Sequence, residues 1–265
     1  MNDRPQTWHY GLVARHWAEH NTDGPEIAYF QKQIEHHGQP ALDAGCGTGR
    51  LLIPFLRAGL DVDGCDVSPD MLSLCREKAE RQGLRPRLYQ QALHELDLPR
   101  TYQTLVVCGA FGIGVSRQQD FVALQRFYQH LQAGGVLLLD NYLPYRDAKE
   151  WRLWRKEMRD QLPEPWRDTI GKKPPEDGSD YELHSRVVAL DPLEQQLTRQ
   201  MRTILWRDGQ VIAEEEYILC ENLYFRNELR QMLEQAGFMI ETIQGEYREV
   251  EATAEHEIIV FIARK

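Results

Sequence analysis

The chain lacks any long apolar run. Among its 265 residues no stretch is long enough to span a bilayer, and Met1–Pro5 opens no apolar signal segment. Five cysteines are present without a C-x-x-C pair, and no Cys/His cluster has the spacing of zinc ligands. We therefore expect a cytoplasmic protein with reduced thiols, without a membrane partner and without a metal site.

Positive charge is also scarce. Lys and Arg total 31 against 41 Asp and Glu, which gives a formal net charge of −10. Because affinity for nucleic acid comes mainly from Lys and Arg that neutralise phosphates, this balance argues against a nucleic-acid partner and favours a small-molecule substrate. The length suits one α/β core with an insertion.

Three glycines follow a short apolar run in residues 41–50. Gly45, Gly47 and Gly49 permit a tight turn and let a ligand approach the backbone, while the helix that follows points free N–H groups at that ligand. A second apolar run ends in Asp66, about twenty residues past the first glycine, and its carboxylate can accept hydrogen bonds from both hydroxyls of a ribose. The two motifs together predict a site for an adenosine-containing ligand.

The spacing of the glycines distinguishes between cofactors. Dinucleotide-binding turns have the pattern G-x-G-x-x-G and place a pyrophosphate at a helix N-terminus. Here the pattern is G-x-G-x-G, and no G-x-x-x-x-G-K run follows. A pyrophosphate-binding site is therefore disfavoured.

Residues 43–50 and 62–72 together resemble the class I S-adenosylmethionine (SAM)-dependent methyltransferases. A looser likeness runs through residues 130–140 and the last helix and strand, so that it covers most of the chain outside a middle segment. The resemblance implies an α/β, Rossmann-like fold with a seven-stranded sheet. It also implies SAM as the cofactor and S-adenosylhomocysteine as its product.

The resemblance also implies a set of cofactor-binding residues. Asp43 stands where the family's acidic residue lies near the methionine ammonium, and Asp66 where the ribose is held. Met71 is a candidate for the adenine region, although it fits a core position as well. The other candidates come from the ends of the same strands: Gly45, Cys46, Gly47, Gly49, Val67, Ala92, Leu93, Cys108 and Gly109.

Two departures from the family pattern bear on this prediction. The family commonly has an acidic residue after the third strand that contacts the adenine amino group, and this chain has Ala92 there. Backbone groups of Ala92 and Leu93, or the side chain of Gln91, are possible substitutes. The fourth strand ends in Cys-Gly-Ala-Phe at 108–111 instead of the Asn/Asp-Pro-Pro-Tyr/Phe motif of base-directed enzymes, which disfavours adenine methylation.

Strands alternate with helices up to about residue 141, which predicts a parallel sheet covered on both faces. A helix is predicted over 25–37, and Ser68 and Ser116 are predicted to cap the N-termini of two further helices. The fifth strand is expected over 136–140. Near the end of the chain, Asn227 is predicted to cap the last helix.

A middle segment interrupts this alternation. A Pro/Gly-rich loop, which includes Gly171, Pro174, Pro175 and Gly178, precedes three strand-like runs at 181–190, 195–207 and 211–221. Asp191-Pro192 and Asp208-Gly209 are turn signals between these runs, so we predict an inserted antiparallel β meander.

These patterns divide the chain into three parts. Residues 1–24 carry Trp8 and Trp17 and are predicted to form an N-terminal lid. Residues 25–141 and 226–265 form the SAM-binding core. Residues 142–225 form an inserted cap that covers the substrate or makes a homodimer contact.

The sequence offers few candidates for a catalytic base. We single out Tyr10, His9 and Tyr142, each of which also fits a packing or surface role. Tyr10 ranks first because the resembled family often places an N-terminal tyrosine across the cofactor. Methyl transfer depends mainly on alignment of donor and acceptor, so a strong base is not a requirement.

The sequence therefore predicts a SAM-dependent methyltransferase that acts on an O or N nucleophile of a small molecule, without a metal. Two alternatives stay open. One is a methyltransferase directed at tRNA or protein, and the other is a SAM-binding interaction protein without catalysis. The acceptor, the choice of O or N, and the oligomeric state do not follow from the sequence.

Overall fold

The computed structural model describes residues 9–166 and 179–265. Trp8 and the predicted loop positions Gly171, Pro174, Pro175 and Gly178 lie outside the described residues. Within these ranges the chain forms a seven-stranded sheet and a separate three-stranded sheet. No helix in the described part of the chain is long and apolar enough to cross a bilayer.

Ten strands build the two sheets of the described chain. They are β1 Ala41–Ala44, β2 Val62–Asp66, β3 Arg87–Gln90, β4 Tyr102–Val107, β5 Leu131–Tyr142, β6 Ser179–Asp191, β7 Gln196–Arg207, β8 Gln210–Asn222, β9 Met239–Gly245 and β10 Ile258–Arg264. The large sheet has the order β3-β2-β1-β4-β5-β10-β9, in which β10 runs antiparallel to both of its neighbours and the other pairs are parallel. The small sheet is the antiparallel meander β6-β7-β8. The predicted fold with its inserted meander is confirmed.

Helices connect most of the strands of the large sheet. Those described are α1 Gly11–His20, α2 Pro25–His37, α3 Leu52–Arg57, α4 Pro69–Glu80, α5 Arg117–His130, α6 Ala148–Trp151, α7 Lys156–Arg159 and α8 Arg226–Gln235. The bounds predicted for α2 are confirmed. Ser68 accepts a hydrogen bond from the Met71 N–H (3.2 Å) and Ser116 forms a capping box with Gln119, so both predicted caps are confirmed.

Two predicted boundaries are wrong. The N-cap position of α8 is Phe225, whose backbone is extended, and Asn227 lies inside the helix where its side chain caps nothing. Strand β5 begins at Leu131 instead of Val136. The backbone of Leu131 already pairs with Tyr102 of β4, and a shift in register between Tyr102 and Thr104 accommodates the intervening residues.

The two faces of the large sheet bury separate apolar clusters. Leu137 and Leu139 face the cluster that includes α5 and α8, whereas Val136 and Leu138 face the cluster that includes α2, α3 and α4. This alternation follows from the two-residue period of a strand. Because both faces are covered, the carboxyl ends of the parallel strands are the open edge where a ligand can bind.

Helix α1 connects the small sheet to the core. Val13 packs against Leu183, Met201 and Leu219, which come from the three strands of the meander. Helix α1 also contacts α4, and at its start the Gly11 N–H donates to the Asp70 carboxylate of α4 (2.7 Å). The meander, hereafter the cap sheet, therefore lies over the core with α1 between the cap sheet and α4.

Candidate active site

A cavity of about 980 Å³ lies at the carboxyl ends of β1, β2, β4 and β5. Its walls combine residues of the core, such as Gly47 and Asp66, with His16 of α1 and with Ser185 and Arg199 of the cap sheet. This volume is at the upper end of the range for small-molecule sites. The cavity is large enough for a cofactor and a second small molecule together.

The structure brings most of the predicted cofactor-binding residues to this cavity. All of them line it except Gly49. Gly49 has φ +85°, and an added Cβ would lie 2.7 Å from the Cys75 sulfur, so this glycine allows the turn to pack on α4. Two of the three predicted catalytic residues, His9 and Tyr142, also line the cavity, and Tyr10 does not.

Asp66 holds the glycine turn in place. Its carboxylate accepts hydrogen bonds from the Gly47 N–H (3.0 Å) and the Ser68 N–H (2.8 Å). Burial raises the pKa of Asp66, and these backbone donors act in the opposite direction. Gly47 has φ +51°, and a Cβ built on it would meet no protein atom within 4 Å, so its backbone opens onto the cavity.

Asp43 places an unpaired carboxylate oxygen in the cavity wall. The side chain is buried, and its Oδ2 has no hydrogen-bond partner among the described residues. Burial, and next the charge of Asp66, raise the pKa of Asp43 to about 7, against the effect of the Leu52 backbone. An unsatisfied buried acceptor of this kind suits a cationic group on a ligand.

The structure narrows the choices for adenine contacts. Gln91 uses both polar atoms of its side chain on the Asp97 backbone, because its Nε2 donates to the Asp97 carbonyl (3.2 Å) and its Oε1 accepts from the Asp97 N–H (2.9 Å). Ala92 and Leu93 line the cavity. Their backbone groups are therefore better placed than the Gln91 side chain to contact adenine.

The predicted N-terminal candidates differ in their environment. Burial lowers the pKa of His9 to about 3, which makes its imidazole a weak base at neutral pH. Burial also raises the pKa of Tyr10, with a further contribution from Asp66 and Asp70. A general base works best with a pKa near the operating pH, and burial moves the pKa of both residues away from it.

Three polar residues meet where β4 and β5 end. Asp140 is buried and accepts hydrogen bonds from the Gly109 N–H and the Tyr247 hydroxyl, both at 2.7 Å. The hydroxyls of Tyr142 and Tyr247 lie 3.2 Å apart. Tyr142 lines the cavity, and so does Asp140. Sequence reasoning missed Asp140 and Tyr247, although Asp140 lies near the end of β5 next to β4, much as Asp66 ends β2.

The cap sheet contributes a buried cation to the cavity. Arg199 is paired with Glu150 (3.0 Å) and with Glu221 (3.2 Å), and its side chain is 15% exposed. These ion pairs join three elements of the cap segment, namely β7, α6 and β8. Local sequence patterns do not reveal such long-range pairs. Arg199 and Glu221 also give the part of the cavity wall that the cap sheet contributes a polar character.

A buried network joins the cap sheet to the core. Asp120 of α5 accepts hydrogen bonds from Asn222 Nδ2 (2.7 Å) and from the Tyr224 hydroxyl (2.6 Å). Burial raises the pKa of Asp120 to about 6. Because all three residues are buried, the network fixes the chain where it leaves β8 and returns to the core.

The chain is similar to known proteins in sequence and in fold. Residues 41–135 match the family model of the methyltransferase domain. A protein of Geobacillus sp. (strain WCH70) is 28% identical over 124 residues, which make up 45% of this chain and 50% of that protein. The dTDP-3-amino-3,4,6-trideoxy-alpha-D-glucopyranose N,N-dimethyltransferase of Streptomyces venezuelae is 24% identical over 135 residues, 50% of this chain and 55% of that enzyme. The chain spans about half the length of the curated relatives it matches.

Two solved structures have the same architecture over nearly the whole chain. A SAM-dependent methyltransferase from Clostridium acetobutylicum superposes with a TM-score of 0.73 at 18% identity, over 95% of this chain and 96% of that one. A sugar N-methyltransferase from Streptoalloteichus sp. superposes with a TM-score of 0.68 at 16% identity, over 100% of both chains. Residues 41–135 therefore match a methyltransferase domain, and the chain has the fold of SAM-dependent methyltransferases.

The residues of the methyltransferase domain fit SAM. The unpaired Oδ2 of Asp43 suits the ammonium of the methionine part, and Asp66 retains acceptor capacity for ribose hydroxyls beside its two backbone donors. The backbone at Gly47 faces the same open cavity. These two acceptors match the ammonium of the methionine part and the hydroxyls of the ribose.

Affinity for SAM should depend on pH through Asp43. A ligand ammonium favours the carboxylate, so a protonated Asp43 must release its proton when SAM binds. The affinity should rise with pH below about 7, by at most tenfold per pH unit for one proton, and level off above it. Calorimetric titrations across this range measure the profile. Asp43→Asn should flatten it, and an identical profile in that variant would rule out this role.

Proposed function

We propose that the protein transfers a methyl group from SAM to an O or N nucleophile of a small-molecule acceptor. The observation that carries the proposal is the single cavity that joins Asp43, Gly47 and Asp66 to the cap residues Arg199 and Met201. One enclosure can therefore hold a methyl donor against the core and an acceptor against the cap sheet. To hold the two reactants close together and in line is most of what methyl transfer requires of the protein.

The three predicted parts of the chain would have separate roles in this reaction. Residues 25–141 and 226–265 would bind SAM, and residues 142–225 would cover the acceptor. Residues 1–24 would act as the lid, and the contacts of α1 with Asp70 and with the cap sheet support this role. The homodimer contact through the cap sheet and the cytoplasmic location stay predictions from the sequence.

The chain would use its own groups mainly to position the reactants. When bound, SAM supplies an electrophilic methyl group on a sulfonium, whose bonding electrons stay on sulfur, so the acceptor's lone pair makes the new bond. Asp66 would hold the ribose, and Asp43 the methionine ammonium. Gly109 and Tyr142, at the ends of β4 and β5, would adjoin the methyl group. The cap sheet and α1 would exclude water.

A nitrogen acceptor is the first choice for a substrate search. The similar proteins named above include N-methyltransferases of an amino sugar nucleotide and of a sugar. Acidic side chains in the cavity wall outnumber arginines, and Asp120, Asp140 and Glu221 come from α5, β5 and β8, outside the glycine turn and β2. Arg199 offsets the charge of Glu221, and the remaining excess of acidic groups favours a neutral or cationic acceptor over an anionic one.

The test is methyl transfer to a panel of small amines, amino sugars and alcohols. The protein is incubated with SAM, and mass spectrometry follows S-adenosylhomocysteine and the methylated product. We expect product from at least one nitrogen-containing acceptor. As a matched variant, Met201→Trp would fill the cap side of the cavity, and it should retain binding of S-adenosylhomocysteine but lose product formation. Binding of SAM without product across the panel would favour a non-catalytic SAM-binding protein.

A further inference from the structure

A short chain of hydrogen bonds leads from the cavity into the core. It begins at the Tyr142 hydroxyl, continues through the Tyr247 hydroxyl (3.2 Å) and ends at Asp140 Oδ2 (2.7 Å from Tyr247). Tyr142 is 36% exposed and lines the cavity, whereas Tyr247 and Asp140 are 8% and 4% exposed. This chain of hydrogen bonds therefore has one end at the cavity and one end shielded from solvent.

The carboxylate fixes the direction of these hydrogen bonds. Asp140 can only accept when ionised, so the single proton of the Tyr247 hydroxyl points to Asp140. The Tyr247 oxygen must then accept from Tyr142, which uses the only proton of that hydroxyl. What Tyr142 offers to the cavity is consequently a lone pair, which can accept a hydrogen bond from a ligand N–H or O–H.

Tyr142, the cavity end of this chain of hydrogen bonds, lies beside the carboxyl end of β4. A Cβ built on Gly109 would be 3.7 Å from the Tyr142 ring and 3.8 Å from its hydroxyl oxygen. The Gly109 N–H also donates to Asp140 (2.7 Å), so that Gly109, Asp140 and Tyr142 form one compact group. Under the proposed function this is the region that adjoins the methyl group.

We propose that Tyr142 and Tyr247 relay a proton from the methyl acceptor to Asp140. The proposal rests on the proposed function and adds the route by which the acceptor loses its proton. The acceptor's lone pair forms the new bond to carbon, and its surplus proton moves to the Tyr142 oxygen. The Tyr142 proton passes to Tyr247, and the Tyr247 proton passes to Asp140, which ends as the neutral acid. Each tyrosine ends with one proton, as it began.

The charged and titratable groups around the relay are compatible with this role. Arg146 stacks on the Tyr142 ring (4.3 Å), and Arg50 donates to the Cys108 sulfur (3.7 Å), which lies beside Asp140. Burial raises the pKa of Asp140, which makes it a better proton acceptor than an exposed carboxylate. Burial, with the charge of Asp140, raises the pKa of Tyr142 to about 12, so Tyr142 stays a neutral relay at physiological pH.

The inhibitor sinefungin tests this geometry without a known acceptor. In sinefungin a carbon that bears an amino group replaces the sulfonium and its methyl, so it places an N–H donor at the methyl position. S-adenosylhomocysteine has no donor there. Because this amino group is protonated at neutral pH, the ratio of the two dissociation constants reports the hydrogen-bond acceptor and the negative charge that face the methyl position.

We expect the wild-type protein to bind sinefungin about tenfold or more tightly than S-adenosylhomocysteine. Tyr142→Phe should abolish this preference and leave the affinity for S-adenosylhomocysteine within about twofold. Asp140→Asn should abolish it as well, because an amide lacks the negative charge and does not fix the same direction of hydrogen bonds. Tyr247→Phe should reduce it, because Tyr142 loses its partner.

Tyr29→Phe is the matched control. The Tyr29 ring packs edge-on against the Tyr247 ring, and its buried hydroxyl donates to Gln244 Oε1 (2.8 Å), outside the cavity lining. Loss of this hydroxyl should leave the sinefungin preference unchanged. A wild-type preference that persists in both Tyr142→Phe and Tyr247→Phe would overturn the relay and leave the proposed function intact. Failure of the wild-type protein to bind S-adenosylhomocysteine would instead contradict the proposed function itself.

Discussion

Replacement of Asp66 with alanine should weaken the binding of SAM and S-adenosylhomocysteine by about a hundredfold or more. The substitution removes a charged acceptor for two ribose hydroxyls, and each such hydrogen bond contributes about 1.5–3 kcal/mol. It also removes the acceptor for the Gly47 and Ser68 N–H groups, which fix the glycine turn. Isothermal titration calorimetry on both ligands measures the effect.

Glu77→Ala provides the control for this substitution. Glu77 is an exposed carboxylate of α4 that lies outside the cavity lining and pairs with Arg81 at 3.8 Å. Its loss should leave both dissociation constants unchanged, since an exposed pair of this kind contributes little. An unchanged dissociation constant in folded Asp66→Ala would mean that the ribose lies elsewhere.

Replacement of Gly47 with alanine should separate folding from cofactor binding. A Cβ at this position would meet no protein atom within 4 Å, so the protein itself has room for it. The positive φ of +51° makes the substitution cost about 1–2 kcal/mol of stability. The new methyl group would occupy the space through which a ligand approaches the turn, and the affinity for SAM should fall at least tenfold, about 1.4 kcal/mol.

Gly59→Ala is the matched control for Gly47→Ala. Gly59 has φ +80°, and its added Cβ would likewise meet no atom within 4 Å, but it lies outside the cavity lining. Thermal unfolding should show a similar loss of stability in both variants, and only Gly47→Ala should lose affinity. Equal affinities in the two variants would contradict the placement of the ligand against the glycine turn.

Features with a local chemical signal could be predicted from the sequence. Ser68 followed by Pro69 is a strong helix start, and the structure has that cap and that helix. Asp208-Gly209 is a strong hairpin signal, and it joins β7 and β8 as expected, with Asp208 at φ +52°. In each case the residues that determine the structure are adjacent in the chain.

Features that depend on tertiary contacts could not be predicted. Tyr247 reaches Asp140 across 107 residues, from a tight turn after β9 where its own backbone has φ +52°. Arg199 is likewise positioned by Glu150, 49 residues away, and by Glu221 on the neighbouring strand. A single sequence has no periodicity or motif that links such residues. The cofactor side of the site has a motif, whereas the acceptor side is assembled by the fold.

The crystal structure of the protein with bound S-adenosylhomocysteine tests the central claim most directly. The account predicts ribose hydroxyls within hydrogen-bond distance of Asp66 and the methionine ammonium beside Asp43. It also predicts that the thioether sulfur faces Gly109 and Tyr142, with the rest of the cavity open toward Arg199. A ligand bound outside this cavity, or a sulfur atom directed away from Tyr142, would contradict the account.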